Sequence, residues 1–228
     1  MRPKFSVSLM CMDFLDIKNQ IKILDSNMDG YHIDIMDGHY CKNITLSPDF
    51  MRACSRVAKK PMDVHLMTTN PNDWIDACAE AGAAMISPHA ETMNTDCFRT
   101  LNHIAQVGCK LGVTLNPATP LSYCKHYLNR IDVLTLMTVD VGFAGQPFIE
   151  EMLDKIKEAK ELREKNGWHY QIMIDGSCNQ KTFGRLYEAG ADVFVLGSSG
   201  LFSLDSDLET ACQKTKDNFQ KETGVKCL

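Results

Sequence analysis

Residues 31–38 read Tyr31-His32-Ile33-Asp34-Ile35-Met36-Asp37-Gly38, and their alternation places the stretch on a β-strand. Successive side chains of a strand point to opposite faces, so Ile33 and Ile35 share one face while His32, Asp34 and Met36 share the other. An imidazole and a carboxylate two residues apart stand about 7 Å from each other along the strand. They can hydrogen-bond to one another, or they can share a divalent ion whose other ligands come from neighbouring strands. The rest of the chain bears on that choice.

Outward from this strand the sequence alternates between the two secondary-structure periods. Further strands are expected over 5–10, 62–67, 84–88, 110–115, 132–138, 170–174 and 192–196. Helices are expected over 17–24, 48–58, 72–81, 96–107, 120–128, 149–165, 181–189 and 206–219. Pro48 opens its helix where a missing N–H costs nothing, and Gly82, Gly108, Gly167 and Gly190 stand where helices should end. Eight such units fit either an open doubly wound sheet or a closed barrel. Closure is favoured because eight units fill the usual barrel length and because Ser8, Asp34, His65, His89, Asn116, Asp140, Asp175 and Ser198 fall at the carboxyl ends of the strands, where a barrel gathers its chemistry. The expected architecture is a single (β/α)8 TIM barrel, α/β in class, over residues 1–228.

The totals agree with one globular unit. The 228 residues can bury a large core, and 24 basic against 29 acidic side chains give a formal charge of -5, which leaves no basic footprint for nucleic acid. No apolar run approaches the length of a bilayer, so neither nucleic acid nor membrane is an expected partner. A phosphorylated small molecule is compatible, because backbone amides supply positive field locally. Ten cysteines are scattered singly from Cys11 to Cys227 with no Cys-x-x-Cys pair, and no secretory apolar segment follows Met1. A reduced, cytoplasmic protein is the expectation. Cys227 fits no prenylation signal.

His65 ends the third strand in Asp63-Val64-His65-Leu66-Met67, and Asp175 ends the seventh in Ile172-Met173-Ile174-Asp175-Gly176. Singly, the first reads as an ordinary polar strand end and the second as the start of a turn. With His32 and Asp34 they place two imidazoles and two carboxylates around one axis. That set suits one divalent ion, zinc first, with manganese, cobalt or iron allowed by the oxygen content. His89 is assigned to the hydrogen-bonding rim of the mouth rather than to the metal, and His39, His103, His126 and His169 fall in loops or helices.

Asp34 and Asp175 come from opposite sides of the barrel, an arrangement for two-base epimerisation or isomerisation. One carboxylate removes a proton alpha to a carbonyl and the other, protonated, returns one from the opposite face. A metal held by the carbonyl and the neighbouring hydroxyl would stabilise the enediolate between the two steps. Met36, Met67 and Met137 share the inward face above the metal, where they serve as core filling, as a dry lid, or as both. Gly142-Phe143-Ala144-Gly145 follows strand six, Gly176-Ser177 strand seven and Gly197-Ser198-Ser199-Gly200 strand eight. Three glycine-rich loops on adjacent strands, with no Lys or Arg among them, read as an amide nest for a phosphate dianion. The plainer alternative is a set of tight turns.

Segments 32–38, 63–67, 116–117, 137–146 and 175–176 together resemble the ribulose-phosphate 3-epimerase family, and the resemblance runs from Ser8 to about Phe202. It implies a TIM barrel that carries out metal-dependent 3-epimerisation of a phosphorylated ketose, with Asp34 and Asp175 as acid/base pair. It implies His32, Asp34, His65 and Asp175 as metal ligands. Substrate contacts are implied for Ser8, His65, Gly142, Phe143, Ala144, Gly145, Asp175, Gly176, Ser177, Gly197, Ser198 and Ser199, and homo-oligomers are usual among similar proteins. Two features depart from the common pentose-phosphate form: Ser177 stands where a second glycine is usual, and Leu9-Met10-Cys11-Met12-Asp13 is longer than its counterpart. Both resemble the D-allulose-6-phosphate 3-epimerase branch, which interconverts allulose 6-phosphate and fructose 6-phosphate. That is the expected activity, with D-ribulose 5-phosphate to D-xylulose 5-phosphate as the alternative. Two further readings are a barrel that binds a sugar phosphate without turnover and a metal hydrolase, the latter lacking a leaving-group acid beyond Asp175.

Overall fold

A computed structural model of the chain describes residues 2–226; Cys227 therefore lies outside the described residues. Eight parallel strands, β1 (Lys4–Ser8), β2 (Gly30–Met36), β3 (Met62–Met67), β4 (Ala83–Pro88), β5 (Lys110–Leu115), β6 (Val133–Met137), β7 (Gln171–Asp175) and β8 (Val193–Leu196), close into a barrel in sequence order. Around them run α1 (Ile17–Asn27), α2 (Pro48–Ser55), α3 (Ile75–Glu80), α4 (Cys97–Gln106), α5 (Met152–Asn166), α6 (Phe183–Ala189) and α7 (Leu208–Thr223). Their starts and stops follow from local chemistry. The Ser47 hydroxyl accepts from the Phe50 N–H ahead of Pro48, and Gly167 and Gly190 take the left-handed conformation that ends α5 and α6.

Two expected helices differ. Over 120–128 the chain forms two separate 3-10 turns, Leu121–Tyr123 and Leu128–Arg130. The buried residues there are Leu121, Cys124, Tyr127 and Leu128, a set that fits either period, but the amides of Cys124, Tyr127 and Arg130 each bond three residues back. That is the 3-10 period, not the α period. Over 72–81, a 3-10 turn Pro71–Asp73 precedes α3.

The period of two along each strand sorts the side chains into three apolar groups. Outward-facing Phe5, Val7, Ile33, Ile35, Val64 and Leu66 belong to the large core between barrel and helices. Met85, Val133, Met173, Val193 and Val195 fill the lower interior of the barrel. Met36, Met67 and Cys41 form a small group near the mouth. The closing seam between β8 and β1 is held from outside by edge-to-face rings: Phe219 stands 5.3 Å from Phe5 and 5.0 Å from Phe194, centroid to centroid. Among the described residues no helix is long and apolar enough to cross a membrane, and the nine described cysteines are all free.

Candidate active site

Register brings the four residues of the expected cluster to one level. Asp34 pairs with His65 across β2 and β3, and His32 with Asp63, while Asp175 ends β7 opposite Met137 of β6. His32, Asp34 and His65 are at most 3% exposed, and the Asp175 side chain is 16% exposed, so the cluster is open to one side only. His32 Nε2 lies 3.4 Å from His65 Nδ1, 3.4 Å from Asp34 Oδ1 and 3.5 Å from Asp175 Oδ2. His65 Nδ1 lies 3.3 Å from each of the two carboxylate oxygens. Ligands bound about 2.0–2.1 Å from a tetrahedral ion are separated by about 3.3–3.4 Å, so five edges of the four-atom figure have the size such an ion requires. All four atoms lie within 4.8 Å of one another. The donors form a possible divalent-metal site of two imidazoles and two carboxylates.

The remaining polar atoms of His32, Asp34 and His65 are engaged. Asp34 Oδ2 accepts from the Ser8 hydroxyl at 2.7 Å, which leaves Oδ1 facing the imidazoles. His32 Nδ1 bonds to the Asp63 carboxylate, whose second oxygen accepts from the Ser6 hydroxyl at 2.8 Å. A carboxylate only accepts, so the proton of a neutral His32 sits on Nδ1 and its Nε2 lone pair points into the cluster. His65 Nε2 faces His89 Nε2 at 2.8 Å. His89, expected on the rim of the mouth, is fully buried, stacked on His65 with ring centroids 4.9 Å apart, and stands outside the four-atom cluster. The Thr138 hydroxyl fixes the end of β7 by donating to the Gly176 carbonyl at 2.5 Å.

The electrostatics of the cluster favour positive charge at its centre. Burial pulls the His32 imidazole down, but the charges of Asp63 and Asp34 outweigh it and hold His32 well above its usual range. Burial also pulls His65 down and is outweighed by hydrogen bonds to Asp175 and Asp34, for a net rise. The reciprocal effect acts on the carboxylates: burial pushes Asp34 up, yet His32 and His65 hold it far below the ordinary carboxylate range. Asp175 is lowered for the same reasons, with the Asp34 charge pushing back upward. Burial drives His89 down to about 4 against the pull of Glu91, so it is neutral near pH 7.

Above the cluster opens a cleft at the carboxyl ends of the strands. Ser8, Asp34 and Asp175 line it with Met10, Cys11, Met36, Met67 and Met137. So do the three glycine-rich segments, Gly142, Phe143, Ala144 and Gly145, then Gly176 and Ser177, then Gly197, Ser198 and Ser199, and no Lys or Arg is among the described residues that line it. His65, expected to touch substrate as well as metal, is fully buried beneath the carboxylates and outside this lining. Ser177, the departure from glycine, has φ 49°. This is the left-handed region glycine occupies without strain, and the Ser177 hydroxyl offsets part of the cost by donating to the Gln146 carbonyl.

Two contacts tie the loops around the mouth. Asn43 Nδ2, in the loop after β2, donates to the Gly142 carbonyl after β6 at 2.7 Å. Asp37 accepts from the backbone N–H groups of His39, Tyr40 and Thr69 and from the Thr69 hydroxyl. Its slight burial pushes the carboxyl up, but these donors outweigh it and bring it to about 2.

Sequence reasoning missed Asp63 and Glu91. Asp63 lies two residues before His65 and so on the same strand face, the signal that linked His32 to Asp34; its partnership with His32 depends on the register of β2 against β3. Glu91 lies two residues beyond His89, on the 3-10 turn Ala90–Thr92 that follows β4.

A closed (β/α)8 barrel with a His2Asp2 cluster and glycine-rich loops at the carboxyl ends of its strands defines a TIM-barrel enzyme with acid/base groups at its mouth. Comparison with known proteins is consistent with that class. The profile of the Ribulose-phosphate 3 epimerase family matches residues 4–202. The ribulose-phosphate 3-epimerase of Bacillus subtilis is 41% identical over 198 residues, covering 86% of this chain and 91% of that protein. That of Escherichia coli K12 is 37% identical over 84% and 86% of the two chains, and that of Aquifex aeolicus 38% identical over 96% and 97%. Among solved structures, KGPDC from Streptococcus mutans superposes with a TM-score of 0.72 over 96% of this chain and 98% of that one, at 14% identity, a likeness of fold alone. The chain belongs to the ribulose-phosphate 3-epimerase family and is an isomerase of the carbohydrate epimerase type.

Proposed function

We propose that this protein epimerises carbon 3 of a phosphorylated ketose and that its substrate pair is D-ribulose 5-phosphate and D-xylulose 5-phosphate. The observation that carries the reaction is the convergence of Asp34 and Asp175, from strands separated by β1 and β8, on the same two imidazoles at the base of one cleft. The pentose assignment replaces the allulose 6-phosphate expected from Ser177 and residues 9–13. It rests on relatives that carry the ribulose-phosphate name and cover 84% to 96% of the chain at 37% to 41% identity.

His32, Asp34, His65 and Asp175 would hold the divalent ion, which when bound supplies Lewis-acid polarisation of the substrate carbonyl. The chain's own residues do the rest. Asp34, fixed by Ser8, takes the proton from carbon 3 on one face. Asp175 gives a proton to the other face, and the roles exchange in reverse. Asp175 suits the part of first acid because it is the more exposed of the two. Met36, Met67 and Met137 keep water from the carbanionic intermediate. Backbone amides of Gly142 to Gly145, Gly176 to Ser177 and Gly197 to Ser199 receive the phosphate, assisted by the turn that begins at Ser198. Exposed Phe14, Leu15 and Ile44 support assembly into a homo-oligomer, which light scattering of the purified protein tests.

The deciding experiment measures kcat/KM of zinc-loaded and manganese-loaded protein on ribulose 5-phosphate and allulose 6-phosphate, with solvent deuterium followed at carbon 3. The expected result is deuterium at carbon 3 and a preference for the pentose of tenfold or more. Preference for the hexose would overturn the substrate assignment, and binding without exchange would overturn epimerisation itself.

A further inference from the structure

Each histidine of the cluster has one nitrogen turned inward and one turned away, and the two outward nitrogens meet different partners. His32 Nδ1 meets the Asp63 carboxylate directly. His65 Nε2 meets another imidazole, that of His89, at 2.8 Å. Two facing imidazole nitrogens at that separation hold one proton between them, donated by one and accepted by the other. If His65 Nδ1 is to offer a lone pair to a cation, its proton must sit on Nε2 and point at His89. His89 must then accept through Nε2 and carry its own proton on Nδ1.

The far side of His89 is built for that arrangement. Its Nδ1 stands 3.4 Å from Glu91 Oε2, and neither of these two buried atoms has a closer hydrogen-bond partner among the described residues. The other oxygen of Glu91 is fixed by the Asn116 N–H at 3.0 Å and by the Thr119 hydroxyl, which leaves Oε2 aimed at the imidazole. Tyr40 packs on His89 with ring centroids 4.8 Å apart, and its hydroxyl accepts from Asn116 Nδ2 at 2.5 Å. Both His65 and His89 are fully buried, so water cannot replace a missing partner.

We propose that Glu91 and His89 form a tautomer relay that sets the proton of His65 and thereby presents its Nδ1 lone pair to the metal. Glu91 accepts from Nδ1–H of His89, and His89 Nε2 accepts from Nε2–H of His65. Asp63 performs the same task for His32 without an intermediary. Glu91 and His89 are thus positioning residues. The inference rests on the metal reading given under Proposed function and extends it outward by two residues. Partners of this kind raise metal affinity by about 10–100-fold where they hold a ligand's tautomer and orientation.

The test uses the full chain, stripped with a chelator and titrated with Zn2+ against a chromophoric competitor, with the visible spectrum of the Co2+ form as a second readout. His89→Phe keeps a stacked ring but removes the acceptor, and the expected result is a loss of Zn2+ affinity of about 10–100-fold with an altered Co2+ spectrum. Glu91→Leu should weaken binding in the same direction, and Glu91→Gln, which retains an acceptor oxygen, should recover most of it. Nitrogen-15 NMR of the imidazoles in the Zn2+-loaded wild type reads the tautomers directly and does not depend on any variant folding. Nε2–H on His65 with Nδ1–H on His89 is expected, and the opposite tautomer on His89 overturns the relay. Wild type that binds Zn2+ with His89→Phe equal to it overturns the relay alone. Wild type that binds no Zn2+ overturns the metal reading and the relay with it.

Discussion

The lower interior of the barrel and its mouth are lined by the same strands a few residues apart, and they are held together by different means. Below, Met85, Val133, Met173, Val193 and Val195 meet side chain to side chain, and their contribution is the nonspecific one of removing apolar surface from water. Above, His32, Asp34, His65 and Asp175 crowd four titratable groups into one space, where Ser8, Asp63 and His89 occupy the remaining hydrogen-bonding atoms of Asp34, His32 and His65. The lower layer therefore stores stability and the upper layer stores reactivity. Substitutions should separate the two.

The largest effect is expected at the mouth. Asp175→Asn removes the exchangeable proton of one proposed acid/base group, so turnover should fall by about 10³-fold or more while the fold is retained. Retained carbon-3 exchange would erase the functional side of the contrast. Gly200→Ala is next: an added Cβ would stand 2.1 Å from the Cys178 carbonyl oxygen, a backbone atom that cannot swing aside. The expected loss is about 3 kcal/mol or more, measured by denaturant unfolding, with a raised KM as the glycine-rich loop shifts. Met85→Ala, in the lower layer, should cost about 2 kcal/mol while kcat changes less than about twofold; a large fall in kcat would show that the layers are coupled. The smallest effect concerns pH. Asp37 has a folded pKa of about 2, below its unfolded value, so its contribution to stability is present above about pH 4 and is lost as pH falls toward 2. Asp37→Asn should flatten the stability profile across that window, and an unchanged slope would show that the loop network contributes nothing.

The same contrast explains what could be read from the sequence. Strand faces follow from a strict period of two, so 62–67 and 110–115 coincide with β3 and β5, and the eight-unit count pointed to closure. The grouping of His32 with Asp34 was legible because they share one face of β2, and His65 and Asp175 because they fall in the carboxyl-terminal halves of β3 and β7. The region 120–128 was not, because Leu121, Cys124 and Leu128 satisfy an α-helical spacing as well as a series of 3-10 turns. The buried position of His89 and the parts played by Asp63 and Glu91 were illegible for a different reason. They depend on which residue of a neighbouring strand or loop stands alongside, which is a matter of register between segments and not of pattern within one.

The hydrogen bond from Asn43 to the Gly142 carbonyl joins loops that follow strands two and six, four places apart on a ring of eight and hence diametrically opposed. It acts as a crossbar. With the phosphate where it is proposed above, at the loops after strands six to eight, a substrate would enter under that bar with its carbon chain leading and its charged end outermost. On that proposal the passage would work as a ruler whose zero mark is the reacting carbon, so that the number of carbons between that atom and the phosphate would decide whether the anion reaches its amides or stops short of them.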